Sequence, residues 1–155
     1  VNRRIDNTDR KILRLLQHSG RIKRIEVADE VGLSVPSVSD RMRKLRKSNL
    51  IQGYHAVVDA KQLGFDITAF IRVFVERSSQ YEPMIKHMCA CEEVLEVHSI
   101  TSEGSHMVKI RTESTSTLEA LLSRIQGFPG VTGTHTSIVL STFKETRQLP
   151  LRPDE

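Results

Sequence analysis

The feature that most restricts what this chain can fold into is a short helical stretch, a glycine, and a second helix that starts almost at once. The residues are Val27-Ala28, then Val31-Gly32-Leu33-Ser34, then Val38. Gly32 supplies the left-handed position that ends one helix. Ser34 suits the N-cap of the next, with Leu33 and Val38 at the two staple positions around it. Pro36 falls in the first turn, where its missing N–H costs nothing. Ala28 stands where two helices cross too closely for a larger side chain, and Val38 fills the angle between them. Val38, Met42 and Leu45 then recur at helical spacing as a buried face.

The flanking sequence supports the same reading. Arg4–Ser19 is predicted as a helix capped by Asp6, with Asp9 in its positive first turn. Ile12, Leu13, Leu15 and Leu16 form its apolar stripe, and Gly20 stops it. Ile22 and Val27 staple the next helix, whose N-cap, Lys23, is a poor one. The outer face of the third helix carries Ser37, Asp40, Arg41, Arg43, Lys44 and Lys47. Two helices around a tight glycine turn, with a basic outer face, form a helix-turn-helix over Arg24 to Arg43.

A short polar first turn can enter a major groove about 12 Å wide, with flanking cations on phosphates. Val35, Ser37 and Ser39, beside Ser34, are the candidates for base edges. Arg41, Arg43, Lys44 and Lys47 are the candidates for phosphates. Leu50-Ile51-Gln52 and Tyr54–Val58, separated by Gly53, read as a two-stranded wing that brings Tyr54 and His55 to the DNA backbone. The alternative for Tyr54 is packing against the helices. The alternative for the whole is a three-helix bundle with a solvated basic face.

Charge divides the chain in the same place. Residues 1–60 hold thirteen Lys/Arg against seven Asp/Glu, and residues 61–155 hold ten against twelve. A basic piece and a mildly acidic one imply two domains with different partners, the basic one facing a polyanion. The expected organisation is a winged helix-turn-helix over 1–59, a linker over 60–66, and a second domain over 67–155.

The second domain reads strand, helix, strand, strand, helix, strand. In the first strand Ile67, Ala69, Ile71, Val73 and Val75 alternate with Thr68, Phe70, Arg72, Phe74 and Glu76. Ser79 with Glu82, and Ser116 with Glu119, are predicted capping boxes for the two helices. Tyr81, Met84, Ile85 and Met88 line one helix; Leu118, Leu121, Leu122 and Ile125 line the other. Val94–Thr101, His106–Thr112 and Val131–Phe143 are the remaining strands. βαββαβ is the ferredoxin-like arrangement, so the fold class is α+β. Two helices cover one sheet face; the other, with Phe70, Phe74, Val139 and Phe143, is open and suits a second copy packed sheet to sheet.

Other classes find little support. No Gly-rich phosphate loop, GxSxG or HExxH occurs, and no catalytic constellation is visible. His87, Cys89 and Cys91 are the one cluster to weigh as metal ligands; His87 and Cys91 share a helix face but Cys89 points away, so no metal site is expected. Ile125–Phe143, the longest stretch without Asp, Glu, Lys or Arg, is broken by Pro and Gly and does not read as a membrane span. Two cysteines make no disulfide framework, and no apolar stretch marks a secretory leader, so a reducing cytoplasm is the expected setting.

Taken together, these residues resemble the Lrp/AsnC (feast/famine) family of prokaryotic transcription regulators, from about Ile5 to Leu151. The likeness is carried by Ile5-Asp6, Ile12-Leu13, Leu16-Gln17, Gly20-Arg21-Ile22, Val31-Gly32-Leu33-Ser34, Val38, Arg41-Met42, Leu45, Ile51-Gln52-Gly53-Tyr54, Leu63-Gly64 and Pro129-Gly130-Val131. It implies a nucleoid-associated regulator that binds double-stranded DNA as a homodimer, often assembled into an octamer. It also implies a ferredoxin-like domain that senses a small molecule, often an amino acid, and no other cofactor. The family's effector loop reads like Thr-Gly-x-x-Asp. Here Thr101 is followed by Ser102, Glu103, Gly104, Ser105 and His106, so Ser102 stands for the glycine and Ser105 for the aspartate. That leaves three readings: Glu103 supplies the carboxylate, the ligand differs, or the loop is only a hairpin. The competing function is a chromosome-architectural protein that holds DNA with little base readout.

Overall fold

The computed structural model describes residues 5–101 and 103–151. They form two compact units: residues up to Val57 together with those from Glu145 onward, and Val58–Lys144.

The first unit contains α1 (Asn7–His18), α2 (Arg24–Val31) and α3 (Val35–Lys47). Asp6 caps α1 by accepting the Asp9 N–H at 2.7 Å. Gly32 ends α2 at φ 68°, and the Leu33 N–H returns to the Ala28 carbonyl at 3.0 Å. Ser34 caps α3 through the Ser37 N–H. Asn49, at φ 59°, turns the chain out of α3, with the Leu50 and Ile51 N–H groups both on the Leu45 carbonyl. Ile12, Leu16, Val27, Ala28, Val38 and Leu45 close the core.

The same unit holds a piece of chain that the sequence reading assigned to the second domain. Gln17 of α1 donates to the Leu149 carbonyl at 3.1 Å and accepts the Leu149 N–H at 2.6 Å. Gln148 donates to the Gln17 carbonyl, and Leu151 packs on the core.

The two strands expected on either side of Gly53 are not formed. No strand runs through residues 48–66, and Val57 and Val58 are exposed. Turns occupy both ends of this segment, and residues 52–59 between them have no ladder partner among the described residues; a strand without one would leave its N–H and C=O groups to water.

The second unit is a four-stranded antiparallel sheet, in the order β2-β3-β1-β4, from β1 (Ile67–Val75), β2 (Val94–Ser99), β3 (His106–Thr112) and β4 (Val131–Ile138). This is the ferredoxin-like topology. The helices α4 (Tyr81–Cys89) and α5 (Thr115–Gln126) bury Met84, Met88, Leu118, Leu121 and Ile125 against Ala69, Ile71, Val73, Val108 and Ile110.

Both helix starts differ from expectation. The capping box on α5 joins Ser114 and Thr117, not Ser116 and Glu119. A hydroxyl at the third helical position does the work of the expected carboxylate. Ser78–Gln80 form a single 3₁₀ turn that feeds α4, and no side chain caps it.

β3 spans His106–Thr112 as expected, but β2 and β4 end earlier than predicted, at Ser99 and Ile138. β4 stops at Ile138 because its partner runs out; the last contact is the Val139 N–H on the Thr68 carbonyl at 2.9 Å. Phe143 therefore lies beyond the sheet, 98% exposed, and is not on its open face. Phe70 and Phe74 are on that face, which is more polar than expected. Lys109 and Ser137 flank Phe70 in register, and Phe74 meets the His135 ring edge-on at 4.9 Å.

Candidate nucleic-acid interface and effector cleft

The first candidate surface is the start of α3. Ser34, Val35 and Ser37 are exposed there, and the Ser34 and Ser37 hydroxyls bond at 2.9 Å. The cap fixes the first turn, so these groups are presented from a rigid element.

Beyond that turn Asp40 draws two cations together. It pairs with Arg43 and with Lys44, the latter at 2.6 Å. Those bonds, Lys44 first and Arg43 second, hold its carboxyl below the usual range. Lys47 is exposed one turn on.

Arg41 behaves differently. Its Nη1 donates to Asp6 at 2.6 Å and to Asp9 at 2.9 Å, and Asp9 is 1% exposed. Those carboxylates raise its pKa further above its ordinary value. The side chain predicted for a phosphate is instead turned inward, bracing α3 against the start of α1.

Ser39 faces sideways into a groove of about 750 Å³ that it shares with Arg24, Arg43, Arg46 and Tyr54. Tyr54 rests on Gly20, with its Cδ1 3.4 Å from where a Cβ there would sit, so the packing alternative describes its position. The His55 ring folds over Gly53. Arg24 and Arg46 were not singled out as contacts in the sequence. Both lie off the outer face of α3, and the groove needs α1, α2 and α3 together.

The second candidate is a cleft of about 420 Å³ at one end of the sheet. Its walls are Phe74, Val75, Tyr81 and Ile100; its polar groups are Ser99, Ser105 and Thr132; Gly104 forms part of the rim. The Ser105 N–H and hydroxyl both reach the Val73 carbonyl, at 2.9 and 3.3 Å. Gly104 holds φ 83°, and a Cβ there would fall 2.7 Å from Arg72 Cγ and 3.1 Å from the Val73 carbonyl oxygen.

His106 is buried below the cleft, with Nδ1 2.8 Å from the Ser105 hydroxyl and Nε2 3.2 Å from that of Ser99. Tyr81 stands edge-on to it at 4.9 Å. Burial pushes its pKa down, which favours the neutral ring.

Of the loop residues expected at an effector site, Gly104 and Ser105 line the cleft and His106 lies beneath it. Glu103 is 84% exposed beside Arg72, and Ser102 lies outside the described residues. Tyr81, Ser99 and Thr132 were missed. They sit at the ends of different elements, and only the antiparallel topology brings those ends together.

Among the described residues no group of three His, Cys, Asp or Glu is arranged to hold a metal. His87 Nδ1 contacts the Pro83 carbonyl, and the Cys91 thiol is directed at the His87 carbonyl. Among the described residues no helix is long and apolar enough to cross a membrane.

Residues 68–149 match the family model described as the Lrp/AsnC ligand binding domain, and residues 5–52 match one for a winged helix-turn-helix DNA-binding domain. Among curated proteins, the HTH-type transcriptional regulator FL11 of Pyrococcus horikoshii is 37% identical, covering 96% of this chain and 97% of that one. The HTH-type transcriptional regulator LrpA of Mycobacterium tuberculosis is 33% identical over 96% of this chain and 98% of its own length. Among solved structures, a transcriptional regulator from Neisseria meningitidis in complex with L-methionine superposes with a TM-score of 0.91 at 27% identity, covering 96% and 97% of the two chains. A feast or famine regulatory protein from M. tuberculosis complexed with L-methionine gives 0.89 at 33% identity, covering 94% and 99%.

Proposed function

The chain belongs to the Lrp/AsnC family of transcription regulators, and from that premise we propose that it is a sequence-specific regulator that reads double-stranded DNA with the start of α3. It is not an enzyme, as its relatives are named regulators. The observation that carries the reading is the capped first turn of α3, where Ser34, Val35 and Ser37 are exposed and Arg43, Lys44 and Lys47 follow on the outer face. The hydroxyls and the Val35 methyls suit base edges, and the cations suit phosphates. Ser39, Arg24 and Arg46 widen the basic surface along the adjoining groove, and Tyr54 and His55 flank it. The Arg41 guanidinium serves the fold instead.

The protein acts in the cytoplasm on the chromosome, as a homodimer that pairs two reading heads on two half-sites, with further assembly to an octamer. Phe70 and Phe74, with Val139 at the strand end, support sheet-to-sheet packing of two copies. The cleft beside Gly104 and Ser105 is the effector site. Two solved relatives are complexed with L-methionine, which makes amino acids the first compounds to try.

Selection of bound fragments from genomic DNA, with and without the twenty amino acids, tests the reading. Fragments sharing a palindrome are the expected result. Tight binding with no shared sequence overturns it in favour of a chromosome-architectural protein, because phosphate contacts alone carry no sequence information.

A further inference from the structure

We propose that Val35 reads the methyl group of a thymine and so fixes one T·A pair in each half-site. This deepens the reading of α3 as the recognition helix and rests on it.

The fold does not call for a valine at this position. Val38, one turn on, is fully buried in the core of the first unit, while Val35 lies outside that core and is 37% exposed. A branched side chain at an exposed helical position is a mediocre helix former. The positive end of a helix favours an acid, yet the first turn of α3 holds none. Local stability therefore favours other residues at position 35.

The methyls are held in one presentation. A β-branched side chain on a helix has one strongly preferred χ1. The backbone beneath it is pinned by the Ser34 cap and by Pro36, whose ring fixes φ at the next position. A rigid apolar group loses little entropy on meeting its partner.

The polar groups of the turn narrow that partner. The Ser34 and Ser37 hydroxyls bond to each other at 2.9 Å, and the Ser34 oxygen also accepts the Ser37 N–H at 3.4 Å. One hydroxyl proton is consumed between the two oxygens, so the pair retains one donor. The turn thus offers a fixed pair of methyls and a hydroxyl donor. In the major groove guanine presents two acceptors, adenine an acceptor and a donor, and cytosine a donor; thymine presents a methyl beside its O4 acceptor. Methyls set against polar edges strip water from them and return no hydrogen bond. Against the thymine methyl they bury apolar surface on both sides.

The test uses the full-length chain and the palindromic fragment recovered from genomic DNA. Each thymine of one half-site is replaced in turn by deoxyuridine, which removes one methyl and leaves the base pairing as it was. At one position the expected loss of affinity is about fourfold, the worth of one buried methyl. Cytosine there is expected to bind more weakly still, and 5-methylcytosine to recover about fourfold over cytosine. Both differences are expected to disappear in Val35→Ala, and to persist in part in Val35→Thr, which keeps one of the two methyls. Affinity for random-sequence DNA is expected to stay that of wild type in both variants. The absence of any position sensitive to deoxyuridine overturns the inference and leaves a sequence-specific regulator standing. A sensitive position that persists in Val35→Ala assigns the methyl to another residue and overturns it too. Recovery of no shared palindrome removes the reading of α3 and this inference together.

Discussion

Arg41 and Asp9 form an ion pair at 2.9 Å, and the Asp9 side chain is almost wholly removed from solvent. The pair joins α3 to the first turn of α1. Removing one partner leaves the other charge in a poor environment. Arg41→Ala is therefore expected to destabilise the first unit by about 2 kcal/mol, read as a lower urea midpoint with an unchanged m-value. A midpoint equal to wild type would show that the pair does not hold α3 in place.

The same pair separates Arg41 from its neighbours in DNA binding. Each lysine on a phosphate contributes about one unit to the slope of log affinity against log salt. Lys44→Ala and Lys47→Ala are expected to weaken binding to all sequences and to flatten that slope. Arg41→Ala is expected to leave the slope as it is. A slope flattened by Arg41→Ala would mean that the guanidinium leaves Asp6 and Asp9 for the phosphate backbone.

Ser37 tests base readout. Its hydroxyl is held by Ser34 at the exposed turn. Ser37→Ala is expected to cost about 1–3 kcal/mol at one base position and little on non-specific DNA. A uniform loss across all sequences would assign Ser37 to the cap or to the backbone.

Phe70 tests assembly. It is 39% exposed on the uncovered sheet face. Phe70→Asp places a carboxylate where a second sheet would pack, and is expected to yield monomers by light scattering with the circular dichroism unchanged. A variant of wild-type mass would place the dimer contact elsewhere.

His106 sets a pH dependence. Its pKa in the folded chain lies below the ordinary imidazole value because burial disfavours the charged ring. The unfolded chain then binds more protons between the two values, so stability rises with pH across that window. The contribution is complete above about pH 6.5 and is lost as pH falls from there through the folded pKa. Acid titration of the unfolding midpoint is expected to show this fall, and His106→Gln to flatten it. An equal fall in the variant would assign the loss to other groups.

What the sequence made legible is what local chemistry encodes. Gly32, Ser34 and the staple around it specify the turn within a few residues, and the alternation in Ile67–Val75 specifies a half-covered strand. The misses are of two kinds. One is substitution of equivalent chemistry, as where the Thr117 hydroxyl completes a box expected of a glutamate. The other is distance along the chain. Nothing in the charge pattern of α3 says that Arg41 has acids more than thirty residues upstream. The cleft is legible only in its Gly104 loop, because Phe74, Tyr81 and Thr132 come from three other parts of the chain.

The bonds between Gln17 and Leu149 have a consequence for biogenesis. A nascent chain emerges from its N-terminus, and the α1–α3 core can begin to pack while the sheet is still being translated. Gln17 nevertheless waits more than a hundred residues for its partner. A message truncated shortly after the codon for Lys144 would specify every helix and strand described here, yet leave that side-chain amide to water and the core without Leu151. A head released at that point is expected to unravel more readily than one that carries Gln148, Leu149 and Leu151.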